Sequence, residues 1–239
     1  ETCMNSFYDG QIPQEIDPES GLPIGPLMDR SSPAKTPERV SLEGRFCRLE
    51  PLNSTIHGDA LYAASTPIDA PARFRYLGDS PPASRAAFTQ WLEAAAQSSD
   101  PLHFAVVDKH SGRAEGRQTL MRIAPEHQCI EIGNIYWGPA ISQTPITTEA
   151  QYLFACYLFE ELGFRRYEWK CDALNAPSRR AALRFGFKYE GHFRRAVIVR
   201  GRTRDTAWFS IIDSEWPALK AAFEAWLAPD NFDVEGRQL

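Results

Sequence analysis

Residues 129–191 constrain this chain most, because strand and helix signals alternate there with short gaps. CIEIGNIYW (129–137) reads as a strand, and helical spacing follows from Thr148 to Leu162. RRYEWKCDA (165–173) is the next strand, Asn175 opens a short helix, and FKYEG begins another strand. Both helices start directly behind a strand. The first N–H groups of a helix have no partner inside it, so such a start suits phosphate or another polar ligand. Thr148 with Gln151 fits a capping box, and Asn175 is a cap with Pro177 in its first turn. Gly163 and Gly186 fit the two helix ends.

The flanking segments give the rest of the architecture. RFCRLEPL (45–52) alternates as a first strand, and a helix spans Ile56 to Ala64 with Asn53–Thr55 as its capping region. Residues 65–80 read as irregular, and Ser84 to Gln97 carries Phe88, Trp91, Leu92 and Ala95 at helical spacing. HFAVVD (103–108), GRQTLMRIA (116–124) and 129–137 are strands with short polar turns between them, which argues antiparallel hairpins. Segments 187–199 and 202–212 form a hairpin around Arg200–Gly201, and Glu215 to Leu227 is an amphipathic helix. The result is one α+β domain over 42–228 with about seven strands. An extended arm rich in Pro, Gly, Ser and Asp precedes it (1–41), and a short tail follows (229–239).

Composition closes several options. The net charge of −5 gives no global nucleic-acid footprint, and no run of 18 apolar residues exists to span a membrane. The five cysteines form no CxxC pair and are odd in number, which suits a reduced cytoplasmic protein. The five histidines show no metal-ligand spacing, so no metal is expected. Ser142 and Ser178 have no histidine close in sequence, and neither a GxSxG nor a P-loop pattern occurs.

EIGNIYWGPAISQTPITTEAQYLF, YEWKCDALNAPSRRAALRFGFKYEGHFR and GRTRDTAWFSIID together resemble the GNAT superfamily of acetyl-CoA-dependent N-acetyltransferases. The third looks most like the branch of ribosomal-protein N-terminal acetyltransferases. The likeness covers about 45–228. It implies a mixed, mostly antiparallel sheet flanked by helices and splayed between its fourth and fifth strands (129–137 and 165–173), with acetyl-CoA in the gap. The acceptor would be a primary amine on a small molecule or a protein N-terminus, and the protein a monomer or homodimer. The acidic balance favours cationic amines. A non-catalytic acyl-CoA-binding module, or the same fold with another acyl donor, is the alternative.

The resemblance also implies residue roles. The pyrophosphate loop falls on Gln143, Ile146 and Thr148, where Ile146 and Thr148 stand in place of the family's small, mostly glycine residues. N–H groups from Ile146 to Glu149, with the Thr147 or Thr148 hydroxyl, would still serve a pyrophosphate. Asn175 would hold the pantetheine arm while capping its helix. Ser178 would donate a proton to the leaving thiolate, because the family's tyrosine position falls on Ala182. Arg179, Arg180 and Arg184 either meet CoA phosphates or form a solvated face. A backbone N–H around Tyr136, Trp137 and Gly138 would meet the thioester oxygen. A free alkylamine titrates near ~10.4, so a base must take its proton. Glu131 is the candidate base, against a purely structural ion pair. Strict alternation groups Glu131 with Ile135 and Trp137, and Ile130 and Ile132 with Tyr136, without saying which set faces the cleft. Arg202, Arg204 and Asp205 read as a turn-stabilising ion network.

Overall fold

The structure is a computed structural model that describes residues 12–28, 32–233 and 238. The chain divides into two units, Glu1–Ser32 and Pro33–Leu239. In the first unit, β1 (Glu15–Ile16) pairs antiparallel with β2 (Pro23–Ile24). The turn between them is closed by the Gly21 N–H donating to Asp17 O at 2.8 Å.

The second unit is built on one sheet of eight strands. In chain order these are β3 (Leu42–Glu43), β4 (Cys47–Pro51), β5 (Leu102–Asp108), β6 (Ala114–Ala124), β7 (Cys129–Trp137), β8 (Arg166–Asp172), β9 (Lys188–Val199) and β10 (Arg202–Ile212). Their spatial order is β3-β4-β5-β6-β7-β8-β10-β9. Among the described residues only β7 and β8 run parallel; every other strand pair is antiparallel. All seven expected strands are present. The eighth, β3, is two residues long and pairs with β4 through Leu42 and Glu43.

Helices cover both faces. α1 (Ser54–Ser65) and α3 (Arg85–Gln97) bury Leu61, Phe88 and Leu92 against Ala105 and Val107 of β5. Asn53 caps α1 by accepting from the Thr55 and Ile56 N–H groups, and Ser84 caps α3 by accepting from Ala87 N–H. Between them a short α2 (Ala70–Arg73) replaces the expected irregular stretch. On the opposite face lie α4 (Pro145–Cys156), α5 (Ala176–Arg184) and α6 (Trp216–Leu227). Phe154 of α4 meets Phe104 of β5 edge-on at 5.1 Å in the main core. Full burial of one such side chain contributes about 1.5–3 kcal/mol.

The helix expected from Thr148 to Leu162 starts three residues earlier and changes character at its end. Pro145 occupies its first turn, where a missing N–H does no harm. Residues Tyr157–Leu162 widen into a π-helical turn that stops at Gly163, whose φ of 78° is the left-handed stop expected there. Residues 33–41 run along this body: Ala34 N–H donates to Pro125 O at 3.0 Å, and Lys35 N–H to Leu162 O at 2.9 Å.

Candidate active site

Pairing between β7 and β8 covers only Cys129–Ile132 against Arg166–Trp169. Past that point the strands part, and a cleft of about 1780 Å³ opens between and around them. Small-molecule pockets commonly hold about 300–1,000 Å³, so this one has room for two reactants. The facing edges of Gly133–Trp137 and Lys170–Asp172 carry backbone polar groups without a ladder between them. Buried groups of that kind demand partners.

A β-bulge shapes the β7 edge. Arg117 pairs with Tyr136 and Thr119 with Gly133, so β7 holds one residue more than β6 across this interval. Asn134 sits there with φ 47°, in the left-handed region that Asn tolerates. The extra residue corrects the expected alternation. Ile130, Ile132, Ile135 and Trp137 all pack toward the main core, whereas Glu131 turns to the other face and Tyr136 joins Ala70 and Phe74. Glu131 and Trp137 therefore serve opposite sides of the sheet.

The main-core side holds most of the residues expected to bind a cofactor. Trp137 Nε1 donates to Gln118 Oε1 at 3.2 Å, and the Trp137 ring packs edge-on against Trp169 and Phe185. Gly138 is unsuited to the expected oxyanion contact, because its N–H donates to Glu115 O at 2.8 Å. A Cβ there would lie 2.5 Å from that same oxygen, which explains the glycine. Antiparallel alternation then turns the Tyr136 N–H toward β6 as well and leaves the Trp137 N–H facing the gap. Tyr136 is otherwise structural: its hydroxyl donates to Ala64 O at 2.6 Å, and burial pushes its pKa up to about 12.

The α4 start departs from expectation in detail. Gln143 (φ 63°) and Thr147 line the cleft next to Ser142, whose Oγ lies 2.9 Å from both Trp137 O and Gly138 O. Because the helix begins at Pro145, the Thr148 and Glu149 N–H groups fall inside its ladder. Only Ile146 and Thr147 keep free N–H groups by helix geometry. The Ile146 carbonyl accepts from the Cys47 thiol at 3.7 Å. The Thr148–Gln151 capping box does not form: Thr148 Oγ1 accepts from Arg184 Nη1 at 2.9 Å, and Gln151 Oε1 accepts from the Tyr167 hydroxyl at 3.3 Å. Glu149 points away from the cleft. Its carboxylate accepts from the Arg45, Phe46 and Cys47 N–H groups at 2.7, 2.6 and 2.8 Å.

At the second helix start Asn175 Oδ1 accepts from Ser178 N–H at 3.1 Å, the cap expected there. Asn175 and Ser178 both line the cleft. Ser178 Oγ accepts from Trp169 Nε1 at 3.1 Å and lies beside the buried Cys171 thiol. Burial raises the pKa of that thiol, a hydrogen bond with Ser178 only partly opposing it. Ala182 is 0% exposed, so its position has no room for a phenol. Arg180 and Arg184 also line the cleft. Arg184 lies 4.9 Å from the Trp226 ring centroid, and burial lowers its pKa. Arg179 is exposed and does not line the cleft.

Across the sheet the cleft is charged. Glu131 Oε2 meets Lys170 Nζ at 2.8 Å and Arg122 Nη1 at 2.5 Å. Lys170 also binds Glu168 at 2.7 Å and lies 3.8 Å from the Trp208 ring centroid. Burial works to raise the Glu168 pKa, but hydrogen bonds from Lys170 and Arg166 outweigh it and hold the carboxyl low. Arg73, Tyr76 and Asp79 from the α2 region, with Arg204 and Phe193, complete this side. The expected ion network at the hairpin turn is absent among the described residues. Asp205 accepts from Arg195 N–H at 2.7 Å, while Arg204 lines the cleft. Sequence reasoning missed Arg122, which carries no local signal, and weighed Ser142 only as a nucleophile. Among the described residues no cluster of metal ligands occurs, and no helix is long and apolar enough to cross a membrane.

A sequence model described as an acetyltransferase (GNAT) domain matches residues 48–188. A GCN5-related N-acetyltransferase from Brucella melitensis is similar at 59% identity and a TM-score of 0.86, over 88% of this chain and 96% of that one. A probable acetyltransferase (GNAT family) from Chromobacterium violaceum ATCC 12472 is 36% identical with a TM-score of 0.76, over 82% of this chain and 98% of that one. An acetyl transferase from Salmonella typhimurium that modifies the N-terminal serine of a 50S ribosomal subunit protein shares the fold alone. It is 16% identical with a TM-score of 0.62, over 71% of this chain and 96% of that one. No curated protein shows significant similarity to the chain. The splayed β7–β8 pair and these matches agree: the chain belongs to the GNAT acetyltransferase family.

Proposed function

We propose that this protein is an acetyl-CoA-dependent N-acetyltransferase that acts by direct transfer to a primary amine, on a small molecule or at a protein N-terminus. The observation that carries this reading is the gap past Ile132 and Trp169, which brings donor-side and acceptor-side groups to one opening. Acetyl-CoA supplies a thioester carbon, to which the amine nitrogen bonds as the C–S bond breaks and the thiol departs. The Trp137 N–H is turned toward this gap and is suited to donate to an acyl oxygen. The free N–H groups of Ile146 and Thr147 and the Gln143 side chain hold a pyrophosphate, and Asn175 meets the amide-bearing arm.

Proton handling falls to two side chains. Ser178 accepts the Trp169 N–H, which leaves its own proton available for a thiolate. Glu131 has Oε2 engaged with Lys170 and Arg122, and Oε1 takes the amine proton, directly or through water. The hairpin sequence GRTRDTAWFSIID supports the ribosomal-protein branch within the family. A second reading, a non-catalytic acyl-CoA-binding module, is favoured by Ile146, Thr148 and Ala182 standing where the family carries other residues.

Calorimetric titration with acetyl-CoA, together with thiol release over a panel of amines and N-terminal peptides, separates these readings. The transferase reading expects micromolar binding and amine-dependent thiol release. Tight binding without turnover on any acceptor would establish the module instead, and absence of binding would overturn both.

A further inference from the structure

The acceptor side of the cleft has a cation to spare. Among the described residues its lining carboxylates are Asp79 and Glu131. Asp79 is engaged by Arg117, and Glu131 by Lys170 and Arg122. Arg73 is engaged in turn, holding Asp69 at 2.9 Å. Arg204 differs from all of these. Among the described residues no carboxylate pairs with it, and its Nε is buried without an acceptor. Its neighbour Asp205 is turned to the Arg195 N–H.

Position reinforces the point. Arg204, Thr206 and Trp208 are spaced two apart on β10, so alternation puts them on one face. That is the face on which Lys170 lies over Trp208. Trp208 Nε1 is likewise a buried donor with no acceptor, so this wall has donors in surplus and acceptors in deficit. Phe193 packs on Trp208 at 4.5 Å between centroids and, with Val197, adds an apolar flank to the same lining.

We propose that Arg204 binds a carboxylate carried by the acceptor, which makes the acceptor an amino acid or related amino-carboxylate with an apolar or aromatic side chain. One uncompensated guanidinium matches one negative charge, and its planar fork fits a carboxylate through two parallel hydrogen bonds. The local charge thus opposes the preference for cationic amines that the net charge of −5 suggests. This inference rests on the acetyltransferase reading above and narrows it to a small-molecule acceptor.

The test measures acetyl-CoA consumption with three matched acceptors: phenylalanine, phenylalanine amide and phenethylamine, and the corresponding leucine set. These are run on the unmodified protein, Arg204→Gln and Arg204→Lys, with thermal unfolding as a folding control. The expected result is a kcat/KM about tenfold or more higher for the amino acid than for its amide or decarboxylated amine, the scale on which loss of a charged hydrogen-bond partner is felt. Arg204→Gln should abolish that preference while leaving the two uncharged-end amines within about twofold, and Arg204→Lys should restore part of it. Equal use of acid and amide, a preference for N-terminal peptides, or an equal loss on all three acceptors in Arg204→Gln would overturn the inference alone. No thiol release with any amine would overturn the transferase reading and this inference with it.

Discussion

Trp169 donates its indole N–H to Ser178 Oγ at 3.1 Å, and this contact occupies one lone pair of the serine hydroxyl. A hydroxyl has one proton and two lone pairs. With one lone pair engaged from the core, the proton is directed elsewhere, toward the cleft or the Cys171 sulfur. Ser178→Ala should therefore lower kcat about 100-fold, at the lower end of the general-acid range. The acetyl-CoA dissociation constant should stay within about threefold, since Asn175 keeps the helix capped. Steady-state kinetics beside calorimetry checks the split; an unchanged kcat removes Ser178 from proton transfer.

Glu131→Gln keeps shape and removes the charge that Lys170 and Arg122 share. Turnover should fall by about 100-fold, and the pH optimum should move upward, because the amine must then lose its proton to solvent. A pH–rate profile from 6 to 10 is the measurement. A profile that drops in height without moving would assign Glu131 to holding Lys170 rather than to the proton.

Glu149 receives the backbone N–H groups of Arg45, Phe46 and Cys47, where the chain enters β4, all at 2.8 Å or less. Glu149→Ala leaves those donors without an acceptor, and an unmade buried bond costs about 1–3 kcal/mol. Some water enters, so the expected destabilisation is about 3–5 kcal/mol in total. Urea denaturation should show the lower midpoint. A loss below about 1 kcal/mol would mean the loop re-forms around other acceptors.

His103 is buried, and desolvation, aided by nearby Arg117, lowers its pKa to about 4. An unfolded histidine titrates near ~6.5. Between these values the unfolded chain binds more protons than the folded one, so stability rises with pH. This contribution is fully present above pH ~6.5 and is lost as the pH falls toward the folded value. Denaturation midpoints from pH 4 to 7 should show that slope in the unmodified protein and a shallower one in His103→Gln. Equal slopes would place the acid sensitivity elsewhere.

Local signals were enough for much of this fold. The strands at 103–108, 116–124 and 129–137 carry their own alternation, and Asn53, Ser84 and Asn175 cap helices through bonds only two or three residues long. Partners distant in the chain were not legible. Glu149 looks like a first-turn acid suited to a helix start, yet its partners lie about a hundred residues upstream. The Thr148–Gln151 pattern fits a capping box, and the true start at Pro145 has no side-chain cap to announce it. Nor does β7 signal its extra residue at Asn134, because a bulge exists only relative to the partner strand. Arg204 resembled any charged turn residue until the strands around it were placed.

The bulge at Asn134 divides one strand between two tasks. Under the proposed function, the off-core position upstream of it serves the acceptor through Glu131, and the core-side Trp137 downstream of it serves the donor. Substitutions that retune the amine pocket through residue 131 need not disturb the aromatic wall built on residue 137. Drawing Asn134 into the regular ladder, so that the bulge is lost and the residue kept, would do the reverse: it would impose strict alternation and turn Trp137 out of its core, coupling two surfaces that are now free to vary separately. One left-handed asparagine thereby gives this sheet a division of labour, in which acceptor choice can diverge while the donor's seat stays fixed.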